Sequence, residues 1–130
     1  MITDSAKKAC IFCSGEFKSS AKVKRAVSYC DLLIATDGGA KHIVGLRLQP
    51  SIIIGDVDSI ATAMWNHESS IVRIPHSPDK NKSDVELAVE YALEQECKEI
   101  ILLAAAGGRL DHTLGNVALV ASYPGSIAIL

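Results

Sequence analysis

Short apolar runs alternate with amphipathic stretches along the whole chain, and that rhythm is the signature of βαβ units around a parallel sheet. Strands are predicted over Ala9 to Ser14, Leu32 to Thr36, Ser51 to Ile54, Ile71 to Ile74 and Glu99 to Ala106. Between them, helices are predicted from Ser19 to Cys30, from Ala40 to about Leu46 and from Ile60 to about His67. The clearest helix runs to Glu96 behind a capping box at Ser83 and Glu86, with Val85, Ala88, Val89, Ala92 and Leu93 at helical spacing. A last helix is expected from about Asp111 to Ala121, and Ser126 to Leu130 begins a further strand. The expected fold is therefore α/β: a three-layer, open, mostly parallel sheet with helices on both faces, Rossmann-like in kind.

The polar clusters all fall directly after strands. Asp37-Gly38-Gly39 follows the second, Gly55-Asp56-Val57-Asp58-Ser59 the third, and Gly107-Gly108-Arg109-Leu110-Asp111-His112 the fifth. Open parallel sheets bind ligands at the carboxyl ends of their strands, so the clusters should line one edge. Asp56 and Asp58 stand two apart, which in an extended chain turns both carboxylates to one side and suits a shared hard cation. The same residues would also serve as a capped turn. In the segment Pro78 to Asp84, Lys80 or Lys82 could meet phosphate oxygens while Asp84 supplies a third metal ligand; a loop followed by a capped helix is the plainer reading. After the fifth strand, two glycines expose backbone N–H groups, Arg109 offers a planar fork for phosphate, and a helix N-terminus favours an anion. Asp111 and His112 could orient a ribose, a base or a metal-bound water. His42, His67 and His76 are isolated and read as surface or partly buried side chains.

Composition narrows the partners. With 130 residues the chain suffices for one core, and its net charge of −2 includes no basic run beyond Lys22 to Arg25, which reads as a solvated helix face. Nothing here provides an electrostatic footprint for nucleic acid or an anionic membrane. The N-terminus lacks the apolar core of a signal peptide, and the longest apolar run, Ile100 to Ala106, is too short to span a bilayer, so a soluble, cytoplasmic protein is expected. Cys10, Cys13, Cys30 and Cys97 are accordingly expected as reduced, structural thiols. Neither G-x-x-x-x-G-K-[ST] nor G-x-G-x-x-G occurs, so phosphates must be held another way.

Taken in order, Asp37-Gly38-Gly39-Ala40, Gly55 to Ser59, Lys80 to Asp84 and Gly107 to Asn116 resemble the motifs of the thiamine pyrophosphokinase family. The third departs from the family pattern, Lys-Asp-x-Thr-Asp, by carrying Asn81 and Ser83; Ser83 keeps the hydroxyl, whereas Asn81 removes a charge and is left out of the metal site. The resemblance implies transfer of pyrophosphate from ATP to thiamine, releasing AMP. It implies Mg²⁺ on Asp56, Asp58 and Asp84, and catalysis by these with Arg109. Nucleotide contacts are implied from Asp37, Gly38, Gly39, Lys80, Ser83, Gly108, Arg109, Asp111, His112 and Asn116, and Asp58 is the candidate to help deprotonate the thiamine hydroxyl. Residues 1–125 would form the ATP- and Mg²⁺-binding domain, and 126–130 would open a β-rich domain that completes the thiamine pocket in a homodimer. Two alternatives stand beside this: a pyrophosphokinase for another alcohol, such as a hydroxymethylpterin, and a nucleotide-binding domain without turnover.

Overall fold

The computed structural model describes residues 7–55, 71–75 and 82–130. Six strands form one wholly parallel sheet: β1 (Lys8–Phe12), β2 (Leu32–Thr36), β3 (Ile52–Ile54), β4 (Val72–Ile74), β5 (Glu99–Leu103) and β6 (Ile127–Ile129). Their spatial order is β4-β3-β2-β1-β5-β6. The described helices are α1 (Ala21–Ser28), α2 (Ala40–Gly45), α3 (Asp84–Glu94) and α4 (Leu110–Ser122), and a 3₁₀ turn, Asp37–Gly39, joins β2 to α2. Among the described residues no helix is long and apolar enough to cross a membrane. The helix expected at Ile60 to His67 lies outside the described residues.

The period-2 alternation of strands sorts the core into two clusters on opposite faces of the sheet. Ala9 and Ile11 of β1, Ile34 of β2, Ile52 and Ile54 of β3 and Ile100 and Leu102 of β5 pack with Ala88, Val89 and Ala92 of α3. The intervening residues, Cys10, Phe12, Ala35, Ile53 and Leu103, pack with Val27 of α1 and Ala40 and Ile43 of α2. Strands buried on both faces need near-continuous apolar sequence, which is why Ile52-Ile53-Ile54 carries no polar side chain. Capping fixes the helix starts. The Ser83 hydroxyl accepts from the Glu86 amide at 3.1 Å, and that of Ser20 from Val23 at 3.2 Å. Lys22, Lys24 and Arg25 of α1 face solvent, as the sequence suggests.

Two expectations change, and one strand falls where it was expected. β5 ends at Leu103 rather than Ala106, because Ala104 takes a left-handed φ of 57° and turns the chain out of the sheet. The strand expected at Ser126 to Leu130 is β6, which pairs with β5 through Ile100↔Ile127 and Leu102↔Ile129. Cys10 and Cys30 are joined as a disulfide with their Cα atoms 6.1 Å apart, while Cys13 and Cys97 are free and buried. Residues three apart on a strand face opposite sides, which separates Cys13 from Cys10, whereas the α1 crossover returns Cys30 beside Cys10.

Two glycines test the packing. A Cβ on Gly39 would fall on the Phe12 carbonyl, although Gly39 has an ordinary φ of −80°; at Gly45 a Cβ meets nothing within 4 Å. We expect Gly39→Ala to lower stability by about 2–3 kcal/mol through overpacking alone. Gly45→Ala is expected to raise it by up to about 1 kcal/mol. Urea unfolding midpoints of the two variants check both.

Candidate functional site

The strand order reverses between β1 and β5: from β1 the chain proceeds outward to β2, β3 and β4, then crosses back to lay down β5 and β6. Outside the carboxyl ends of such a pair there is a crevice, because the connections leaving the two strands run to opposite faces. The segments bordering it are the turn after β1, Cys13 to Phe17, and the turn after β5, Ala104 to Arg109.

These two turns are zipped together beyond the sheet. The Cys13 amide donates to the Leu103 carbonyl at 2.8 Å, Gly15 to Ala104 at 2.8 Å, and Glu16 to Ala106 at 2.9 Å. A Cβ on Gly15 would collide with the Ala104 and Ala106 carbonyls, so only glycine permits the approach. Gly107 has φ 87°, and a Cβ there would stand 2.8 Å from the Glu16 side chain. From the other flank the 3₁₀ turn closes on the same segment: a Cβ on Gly38 would lie 2.7 Å from the Ser14 Cβ. Buried Thr36 donates its hydroxyl to the Phe12 carbonyl at 2.8 Å. The Asp37-Gly38-Gly39 and Gly107-Gly108 motifs thus sit on either side of one turn, Ser14-Gly15-Glu16.

The sequence reading of this turn is only a strand end, and His42 reads there as isolated. The structure gives both a place in the site. His42 Nε2 lies 3.0 Å from the Gly15 carbonyl oxygen. A carbonyl can only accept, so Nε2 carries the proton. The ring stacks on Phe17 with centroids 4.9 Å apart, and Phe17 leans on Phe12 at 5.9 Å. Burial lowers the His42 pKa; the bond to Gly15 works the other way, and Lys41 adds to the lowering. Neighbouring Cys13 is no nucleophile, because burial pushes its thiol up to about 12.

On the β5 side, Arg109 lies just before α4 and makes no side-chain cap, leaving the first-turn amides without that partner. Its guanidinium grips Asp111 through two bonds, Nε to Oδ1 at 3.1 Å and an NH2 contact to Oδ2 at 2.7 Å. Loss of hydration opposes ionisation of Asp111, but the Arg109 bonds and charge, with the His112 amide and ring, outweigh it and lower the pKa. The pair is exposed, 72% and 60%, so it is weak and open to exchange with a more highly charged ligand. His112 is exposed in the first turn of α4. Asn116 is buried and donates to the Ala105 carbonyl at 3.0 Å, holding α4 against the β5 turn.

Asp84 opens α3, whose C-terminal end leads within a few residues to the start of β5; α3 therefore begins at the carboxyl edge of the sheet. Gly55 ends β3 with φ 83° and its amide on the Ile74 carbonyl at 2.8 Å. Asp56, Asp58, Lys80 and Asn81 lie outside the described residues, as does the side chain of Asp37. The Lys82 ammonium is 3.0 Å from Glu90. Among the described residues no three His, Cys, Asp or Glu side chains gather as a metal site.

The sequence model described as thiamin pyrophosphokinase, catalytic domain, matches residues 23–129. The chain belongs to this family. Among curated relatives of the thiamin pyrophosphokinase family, Caenorhabditis elegans thiamin pyrophosphokinase 1 is 29% identical over 127 residues, covering 90% of this chain and 51% of that protein. Bacillus subtilis thiamine pyrophosphokinase is 31% identical over 91 residues, 68% of this chain and 42% of that one. The chain thus spans about half the length of these relatives. A crystal structure of thiamin pyrophosphokinase from Geobacillus thermodenitrificans superposes with a TM-score of 0.77 at 26% identity, over 95% of this chain and 59% of that one.

The His42 environment makes stability depend on pH. With the folded pKa below the unfolded value, the contribution is complete above the unfolded pKa, about 6.5. It falls away as pH drops through the folded pKa, because the unfolded chain takes up the proton first. Thermal midpoints measured from pH 7.5 down to 5 are expected to fall less steeply in His42→Gln, which has no titrating ring.

Proposed function

We propose that this chain is the ATP- and Mg²⁺-binding part of a thiamine diphosphokinase that transfers pyrophosphate from ATP to thiamine, giving thiamine diphosphate and AMP. The observation that carries the reading is the convergence of Gly38-Gly39 and Gly107-Gly108-Arg109 on one turn at the switch point of a sheet from this family. Arg109 presents a planar fork at the N-terminal end of α4, where partial positive charge favours an anion. A polyphosphate binding there would displace Asp111 from Arg109, exchanging a screened surface pair for a charge-assisted clamp. Asp37, Gly38, Gly39, Lys80, Ser83, Gly108, Asp111, His112 and Asn116 complete the nucleotide site, with Asn116 acting through the Ala105 carbonyl.

A hard divalent cation takes oxygen ligands, and the carboxylates of Asp56, Asp58 and Asp84 form such a donor set. Asp84 at the start of α3 and Gly55 at the end of β3 belong to the same edge of the sheet, which fits that assignment. Mg²⁺ held by them would neutralise charge on the phosphate oxygens. The chain's own residues do the rest: Arg109 clamps the phosphates for attack on the β-phosphorus, and Asp58 receives the thiamine hydroxyl proton. The thiamine pocket is assigned mostly to the family length beyond the matched stretch. A cytoplasmic location belongs to this proposal, with ATP as the co-substrate.

Incubation with Mg²⁺, ATP and thiamine is expected to yield AMP and thiamine diphosphate. Release of ADP would exclude pyrophosphoryl transfer. Binding of Mg·ATP without thiamine-dependent AMP would favour a nucleotide-binding domain without turnover, a reading that the half-length match keeps open. Asp84→Asn should weaken Mg²⁺-dependent ATP binding at least about 100-fold while costing under about 1 kcal/mol of stability. Unchanged Mg²⁺ dependence would remove Asp84 from the metal site.

We also propose a homodimer. Leu110, Leu114 and Val117 form a stripe on α4 at positions i, i+4 and i+7 and are 71%, 59% and 50% exposed, an apolar face suited to a partner. Sedimentation should show Leu114→Glu shifted from dimer towards monomer.

A further inference from the structure

Resting on the nucleotide-binding reading, we infer that His42 is a positioning residue of that site, setting the spacing between its two glycine motifs through the Gly15 carbonyl. The Asp37-Gly38-Gly39 turn and the Gly107-Gly108-Arg109 turn share no backbone hydrogen bond in the described structure; each meets the Ser14-Gly15-Glu16 turn between them. On the β5 side the attachment is backbone to backbone, through the Gly15 and Glu16 amides on Ala104 and Ala106. On the β2 side it is made by side chains. Thr36 reaches the Phe12 carbonyl, which still belongs to β1, and His42 reaches past the strand to Gly15 itself.

Gly15 is therefore held from both sides, its amide by Ala104 and its carbonyl by His42. Because that peptide segment has no side chain to anchor it, the two hydrogen bonds set its position. The Gly15 and Glu16 amides are already committed to carbonyls, so this turn is no anion cradle; it acts as a spacer between the motifs that face the ligand. His42 sits three residues beyond Gly39 on the first turn of α2, so the motif and the side chain that ties it to β1 move as one unit. Ala104 supports the same view: it is a non-glycine residue at φ 57° away from any helix end, a conformation retained where surrounding contacts over-determine it. Burial lowers the His42 pKa and so disfavours the imidazolium; in the neutral ring, Nε2 is the donor to Gly15.

The test uses the 130-residue chain, Mg·ATP calorimetry, amide hydrogen exchange and ¹⁵N NMR of the imidazole. In the wild-type chain the His42 ring is expected as the Nε2–H tautomer, and an Nδ1–H ring would overturn the inference without any variant. His42→Ala should speed exchange at the Gly15 and Glu16 amides about tenfold and weaken Mg·ATP about fivefold, the range of one lost hydrogen bond. His42→Gln, whose amide nitrogen can replace Nε2, should return both to within about twofold of wild type. Unchanged exchange in His42→Ala, or faster exchange with unchanged Mg·ATP affinity, would overturn the inference while the nucleotide reading stands. A wild-type chain that does not bind Mg·ATP would instead sink the nucleotide reading, and this inference with it.

Discussion

Continuation of β-type pairing past the end of the sheet, from the Gly15 and Glu16 amides to the Ala104 and Ala106 carbonyls, is the constraint on which the rest of the site depends. Two central parallel strands whose connections leave on opposite faces would ordinarily splay at the switch point. Here the backbones stay in contact for several residues more, which requires a glycine at 15 and a left-handed turn at Ala104. Gly15 is half-buried and Glu16 exposed, so each of these bonds contributes about 0.5–1.5 kcal/mol. These bonds favour a well-defined crevice floor, with the two glycine motifs on its rims.

Those rims differ in character. On the β2 side a 3₁₀ turn of small residues leads directly into α2 and is packed so closely against β1 that side chains are excluded at Gly38 and Gly39. On the β5 side the turn is longer, and its charged pair, Arg109 with Asp111, is exposed. Buried geometry on one flank and exchangeable charge on the other suit a ligand that must be placed accurately and still released. The proposed pyrophosphoryl transfer fits that division, because such chemistry depends on positioning and charge neutralisation more than on covalent help from the protein.

Much of this was legible in the residues themselves. The five strands expected before residue 110 were found close to their anticipated positions, because burial on both faces demands apolar runs that stand out in sequence. Ser83 capped its helix as its hydroxyl chemistry requires. The glycine pairs stood out as breaks after apolar strands, and the structure packs both against the chain leaving β1. The cysteine bridge was not legible: nothing local links Cys10 to Cys30, and only the crossover brings them together. Nor did β5 announce its end, because Ala104-Ala105-Ala106 is compatible with a strand until the β1 turn takes their carbonyls.

Sequence alone determined the parallel α/β class, the placement of polar clusters at strand ends and the family pattern, since these depend on side-chain periodicity and on residue types in order. Tertiary structure alone decided that β1 and β5 are neighbours, that both glycine motifs pack against the chain leaving β1, and that His42 donates to Gly15 there. The physical reason is distance along the chain. Hydrogen bonds from residue 15 to residues 104 and 42 have no local signature; they exist only once the sheet has ordered its strands.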